Sequence, residues 1–227
     1  MIWFARTRVA NLKSIHIAVT PTLRQHLKVD AARTPQERVK ALDQLDELSE
    51  HKNLGLHYRK GTELWTLASM PGECRPGEEE GQEICYGSGT DADRANYKQT
   101  ALEELQESIA QQPGHSDART AFGVYSLMEM LDDHMNNGVP ASGDAALARK
   151  KRILKELRKA FELNPFDIVA ADALSLLYKL SGAEDRASAW AGRCQTAMEH
   201  LGVSPQCATH LLMSSMLELE PKSQNRK

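Results

Sequence analysis

The side chains of this 227-residue sequence that could do chemistry are scattered, and their spacing argues against a catalytic centre. Eight histidines, at positions 16, 26, 51, 57, 115, 134, 200 and 210, give no i, i+4 pair, the spacing that would bring two imidazoles to one metal on a helix. His57, beside Tyr58, reads as a satisfied helix residue rather than a ligand. Glu103-Glu104 and Asp132-Asp133 are adjacent acids. Consecutive helical residues point about 100° apart and cannot share one proton or one substrate, so both pairs read as solvated faces. No glycine-rich nucleotide loop, H-E-x-x-H metalloprotease helix or G-x-S-x-G nucleophile elbow is present. Four cysteines are too few and too spread for a disulfide scaffold, and a reducing compartment is the default. Cys74 and Cys85 bracket CRPGEEEGQEIC and could bridge, but they match no standard zinc spacing. Cys194 falls among Ala187, Ala191 and Met198 on one helical face, as a small core residue does. The expectation is no catalytic residue, no metal and no cofactor.

What remains is charge. Between Arg149 and Leu163, seven cations (Arg149, Lys150, Lys151, Arg152, Lys155, Arg158 and Lys159) face two carboxylates, Glu156 and Glu162. Such a stripe could meet acidic microtubule tails, anionic lipid or another polyanion. A merely solvated helix face is the equal alternative.

The elements that would position these groups read as helices. In the basic segment Ile153, Leu154, Leu157, Ala160 and Phe161 recur at spacings of three and four, and Asn164-Pro165 stops the run. A second helix follows from Ile168 to Leu180, ended by Gly182. Upstream, Thr34-Pro35-Gln36-Glu37 is a capping box with proline at the first helical position, opening a helix to about Glu50. Further helices are expected over 52–70, 93–112, from Ser116, over 185–201, and from Ser204 as a terminal cap. The stretches 71–93 and 132–144, rich in Gly, Pro, Asp and Asn, read as enlarged loops, the first mobile.

The order Asn164-Pro165, Ala170, Ala173, Leu174, Ser175, Tyr178 and Gly182 resembles the junction between two tetratricopeptide repeats, while Leu54-Gly55 with Tyr58 and Phe122-Gly123 with Tyr125 resemble the first helix of such a repeat. The glycine of the first helix in such a pair is expected to let its neighbour approach closely. The resemblance covers about 53–201 and implies an all-α, short solenoid of about three helix pairs with enlarged loops and a C-terminal capping helix. The segment Thr62 to Ala68, the long insertion and RKAFELNPFD are together similar to the regulator of microtubule dynamics family. That likeness implies a non-catalytic scaffold associated with microtubules or mitochondrial surfaces; the acidic glycine-rich loop departs from it.

The organisation expected is a basic segment over 1–33, a helical domain over 34–217 and a tail over 218–227. Residues 1–29 hold five cations and no acid, which has the character of a mitochondrial targeting segment. They equally suit a solvated first helix or arm, with Trp3 and Phe4 packed on the solenoid. Localisation is therefore cytoplasmic or mitochondrial. No apolar run approaches a bilayer span, though peripheral membrane contact remains open. Two partner surfaces follow. A peptide or partner helix held by the first helix of each pair would meet Arg59, Arg119, Asp172 and Lys179. A charge-held partner, with nucleic acid disfavoured, would meet Lys151, Lys155, Arg158 and Lys159.

Overall fold

A computed structural model describes residues 32, 34–48, 55–69, 73–76, 83–86, 90–136 and 143–202. The basic N-terminal segment, the acidic residues at the centre of the first insertion, the Asn137-Gly138 loop, the expected capping helix and the tail lie outside these. The chain divides into two compact units, Met1–Asn53 and Leu54–Lys227.

The first unit contributes helix α1, Pro35–Leu48. Its capping box forms as the residue types require: Thr34 N–H donates to Glu37 Oε2, and Glu37 N–H donates to Thr34 Oγ1, each at 3.2 Å.

The second unit runs α2 (Leu56–Ser69), β1 (Glu73–Pro76), β2 (Glu83–Tyr86), α3 (Asp91–Gln111), α4 (Ser116–Asn136), α5 (Asp144–Leu163), α6 (Ile168–Lys179) and α7 (Glu184–Leu201). The helices pack as successive antiparallel neighbours, α2 with α3, α4 with α5 and α6 with α7, and adjoining pairs stack through α3 on α4 and α5 on α6. This is the short solenoid of three helix pairs expected from the repeats.

Local signals set most boundaries. Thr90 caps α3 by accepting from Asp93 N–H, and the Asp93 carboxylate accepts from Thr90 N–H in return. Asp167 caps α6 by accepting from Ala170 N–H at 2.9 Å. Gly182, at φ +68°, takes the left-handed turn between α6 and α7 that a side chain would oppose.

Two expectations fail. The insertion after α2 was expected to be loop alone, yet its described residues form an antiparallel hairpin in which Glu73 pairs with Tyr86, Cys74 with Cys85, Arg75 with Ile84 and Pro76 with Glu83. Helix α4 does not stop at Asp132 but continues to Asn136. Asp132 and Asp133 are paired across helices, with Lys98 Nζ at 2.7 Å and Arg149 Nη1 at 2.8 Å, so the charge that suggested a loop is neutralised by neighbours.

The core fills the space between pairs. Val124 and Leu127 of α4 meet Ile153, Leu157 and Ala160 of α5 and Ala170, Ala173, Leu174, Leu177 and Tyr178 of α6. Leu102 and Leu105 of α3 close on Phe122 of α4, and Ala171 on Cys194 and Met198. Trp65 of α2 stacks on Tyr125 of α4, rings 4.3 Å apart and nearly parallel. Burial pushes the Tyr125 phenol up to about 12.

Within each pair, one small residue sets the approach. A Cβ on Gly61 would stand 2.8 Å from Leu105 Cγ, and one on Gly123 would stand 2.5 Å from both Leu157 Cγ and Cδ2. In the third pair Ser175 takes this place, and its hydroxyl donates to the Ala187 carbonyl at 2.9 Å. The close approach expected of Gly55 belongs to Gly61 instead; Gly55 has open space around it and a φ of +103° just before α2.

Gly123→Ala should therefore lower stability by about 1–2 kcal/mol, because overpacking against the fully buried Leu157 outweighs the gain in helix propensity. Gly192→Ala, where a Cβ meets nothing within 4 Å, should raise it by about 0.5–1 kcal/mol. Thermal melts should place the two variants on opposite sides of the parent.

Candidate functional site

Helix α5 presents two faces because its apolar period leaves no alternative. Ile153, Leu157 and Ala160 are fully buried, which turns Lys151, Arg152, Lys155, Arg158, Lys159 and Glu162 outward, all of them exposed. Leu154 and Phe161 sit at the borders, half-buried.

Glu156 is the exception on this helix. It is a buried carboxylate, and Arg119 of α4 reaches it through Nη1 while donating from Nε and Nη2 to the Pro113 carbonyl at 3.1 and 2.8 Å. One guanidinium thus ties the turn after α3 to the centre of α5. Removing either partner would leave an uncompensated buried charge, a loss of roughly 3–5 kcal/mol. Arg149, at the start of the basic run, is likewise committed to α4 through Glu129 and Asp133.

Along the outward face of α5 lie two open clefts. The first, about 550 Å³, is lined by Arg119, Lys151, Leu154, Lys155, Arg158, Lys159 and Glu162. Its five cations face one lining carboxylate. The second, about 540 Å³, lies between α5 and α7 over the end of α6, and shares Arg158 and Glu162 with the first. Its walls are aromatic and arginine-rich. Phe161 meets Trp190 edge to face at 5.1 Å, Arg193 lies 4.4 Å over the Trp190 ring, and Arg158 and Arg186 flank the Tyr178 ring at 5.7 and 5.8 Å. Arg158 also donates to the Tyr178 hydroxyl. A guanidinium stacked on a ring keeps its N–H edge free for a carboxylate, and holding the plane in advance reduces the ordering cost of binding.

Five of the eight residues expected to contact a partner, Arg119, Lys151, Lys155, Arg158 and Lys159, therefore line one cleft. Arg119, grouped by sequence with the first-helix surface, lies at its edge and is spent on Glu156. Arg59, Asp172 and Lys179 line neither cleft. Arg59 is half-buried and Lys179 exposed. Asp172 is half-buried, and burial pushes its carboxyl from 3.8 up to about 6. Burial, with the Asp172 charge adding to it, pushes the Cys194 thiol up to about 11, which leaves it unreactive at neutral pH.

The residues that sequence reasoning missed are Tyr178, Arg186, Trp190 and Arg193. A signal existed: Arg186, Trp190 and Arg193 are four and three apart, hence on one helical face.

Among the described residues no group of three or more His, Cys, Asp and Glu stands together as a metal site. His57 Nδ1 is hydrogen-bonded to Glu104 Oε2 at 2.6 Å, and Lys60 meets the other oxygen of Glu104 at 2.7 Å. The expected satisfied histidine is found, and Glu104 is an interhelical anchor rather than the solvated acid expected. No described helix is long and apolar enough to cross a membrane.

No family model matches the chain, and no curated protein does. Solved structures do. A crystal structure of MamA is similar at a TM-score of 0.51 and 16% identity, over 87% of this chain and 88% of that one. A second MamA crystal structure has a TM-score of 0.49 and 16% identity, over 86% and 80%. The first likeness bears on the fold alone, an all-helical arrangement of stacked helix pairs.

Asp172 supplies a test of its own. Its folded pKa lies above the unfolded one, so its contribution to stability is full below about pH 4 and is lost as pH rises through 6. Asp172→Asn should raise stability at pH 7.5, by about 1 kcal/mol after solvent screening, or roughly 3 °C, and change little at pH 4. Melting curves at the two pH values check this; an equal effect at both would mean that the carboxyl does not titrate as described.

Proposed function

We propose that this chain is a non-catalytic interaction scaffold that holds an acidic segment of a protein partner along the outward face of α5 and the adjoining face of α7. The observation that carries this reading is the first cleft, where Lys151, Lys155, Arg158 and Lys159 stand together in the open, Lys155 with 78% of its side chain exposed. Exposed cations contribute little to stability, roughly 0–1 kcal/mol per pair, so their clustering calls for a role outside the fold. The cluster also draws an acidic surface in from a distance, an effect that salt screens.

A peptide lying along the first helices of each pair is the other scaffold reading. It is less well supported, since Arg119 is occupied and Asp172 is half-buried. The resemblance to the regulator of microtubule dynamics family would make the acidic tails of microtubules one partner of the proposed class, in the cytoplasm or at mitochondria.

The test replaces Lys151, Lys155 and Lys159 together by Gln and measures, at low salt, binding of a Glu-rich peptide, of anionic vesicles and of nucleic acid, and cosedimentation with microtubules. At roughly 0.5 kcal/mol per exposed charge, affinity should fall about tenfold while the melting temperature holds. Unchanged binding would return the partner to the first-helix surface. Loss of binding only to anionic vesicles or nucleic acid would replace the protein partner by that polyanion.

A further inference from the structure

The insertion between α2 and α3 holds a second feature, independent of the basic face. Cys74 and Cys85 are direct partners in the β1–β2 ladder. The parity of that pair follows from Pro76. In an antiparallel ladder opposed residues alternate between pairs that exchange two N–H···O bonds and pairs that exchange none. Pro76 has no N–H, so Pro76 with Glu83 must be of the second kind. Arg75 with Ile84 is then of the first kind, and Cys74 with Cys85 again of the second. Opposed residues of such pairs share a face and have Cα atoms about 4.5 Å apart, within the range of roughly 4.4–6.8 Å that a disulfide spans.

We propose that Cys74 and Cys85 form a reversible intramolecular disulfide, which makes the hairpin a redox-modified element of this chain. The oxidant is a small-molecule disulfide of the glutathione type. The thiolate of one cysteine attacks a sulfur of that disulfide, its S–S bond breaks, and the departing thiolate takes up the proton the cysteine lost. The second cysteine, as thiolate, attacks the protein sulfur of the mixed disulfide and expels the other small thiolate, which is protonated in turn. Two protein thiols are oxidised, and one disulfide is reduced to two thiols. An excess of the small thiol reverses both steps. Cys194, only 5% exposed within the α6–α7 core, stays outside this chemistry.

The test equilibrates the full chain across ratios of reduced to oxidised glutathione, quenches with acid, alkylates, digests and maps the peptides by mass. A linked peptide pair joining Cys74 to Cys85 should grow with the oxidised fraction and disappear with excess reduced glutathione. A separate glutathione on each cysteine, free alkylation of both at the oxidising end, or linkage of either to any other cysteine or second chain would overturn the proposal. A displaced pair, Cys85→Ser with Ile84→Cys, keeps the loop almost the same length but puts the cysteine out of register and on the opposite face. It should close at least about tenfold less readily. Equal closure, with unchanged helical circular dichroism in both proteins, would show that loop proximity alone brings the thiols together and would overturn the role of the ladder.

Discussion

The approach of α5 to α4 at Gly123 is the constraint on which the rest depends. With no Cβ in the way, Leu157 drops onto the α4 backbone, and its full burial fixes the rotation of α5 about its axis. Everything on the outer face follows from that rotation. Glu156, next to Leu157, is carried inward and needs the Arg119 guanidinium, while Lys151, Lys155, Arg158 and Lys159 are carried outward together. The same crossing recurs at Gly61 and, with a hydroxyl seated on a carbonyl, at Ser175. Three small residues thus pace a solenoid whose packing energy lies in the apolar layers between them.

Polar groups sort by the same logic. Several that fall between helices are paired: Glu104 with His57 and Lys60, Asp132 with Lys98, Asp133 with Arg149. Thr120 of α4 donates to Asp167, the cap of α6, which ties consecutive first helices at the place where the chain enters the third pair. On the outer face the arginines turn to rings instead. Arg158 and Arg186 both lie over Tyr178, and Arg193 covers Trp190, so the aromatic wall is cationic as well as apolar.

What the sequence made legible is what local chemistry decides. The capping box at Thr34, the stops at Pro165 and Gly182, and the stripe Ile153, Leu157, Ala160 each involve residues within a few positions of one another, and each appears as read. The misses are all relations between distant residues. Asp132-Asp133 resembles a turn until Lys98 and Arg149 arrive from neighbouring helices. Arg119 resembles a surface cation until α5 delivers Glu156. The hairpin was hidden because each strand is only four residues long, ECRP has little strand propensity of its own, and an acidic, glycine-bearing stretch separates it from EICY. The Arg158, Tyr178, Arg186, Trp190, Arg193 cleft needs three helices side by side, which no single-helix periodicity announces.

The measurement that bears most directly on the proposed acidic-partner surface is a nuclear magnetic resonance titration with a Glu-rich peptide, observing arginine side-chain and tryptophan indole signals. At low salt the Arg158, Arg186 and Arg193 guanidinium signals and the Trp190 indole signal should move together and return as salt is added. Movement confined to Arg59, with the Arg158, Arg186, Arg193 and Trp190 signals unchanged, would contradict the account.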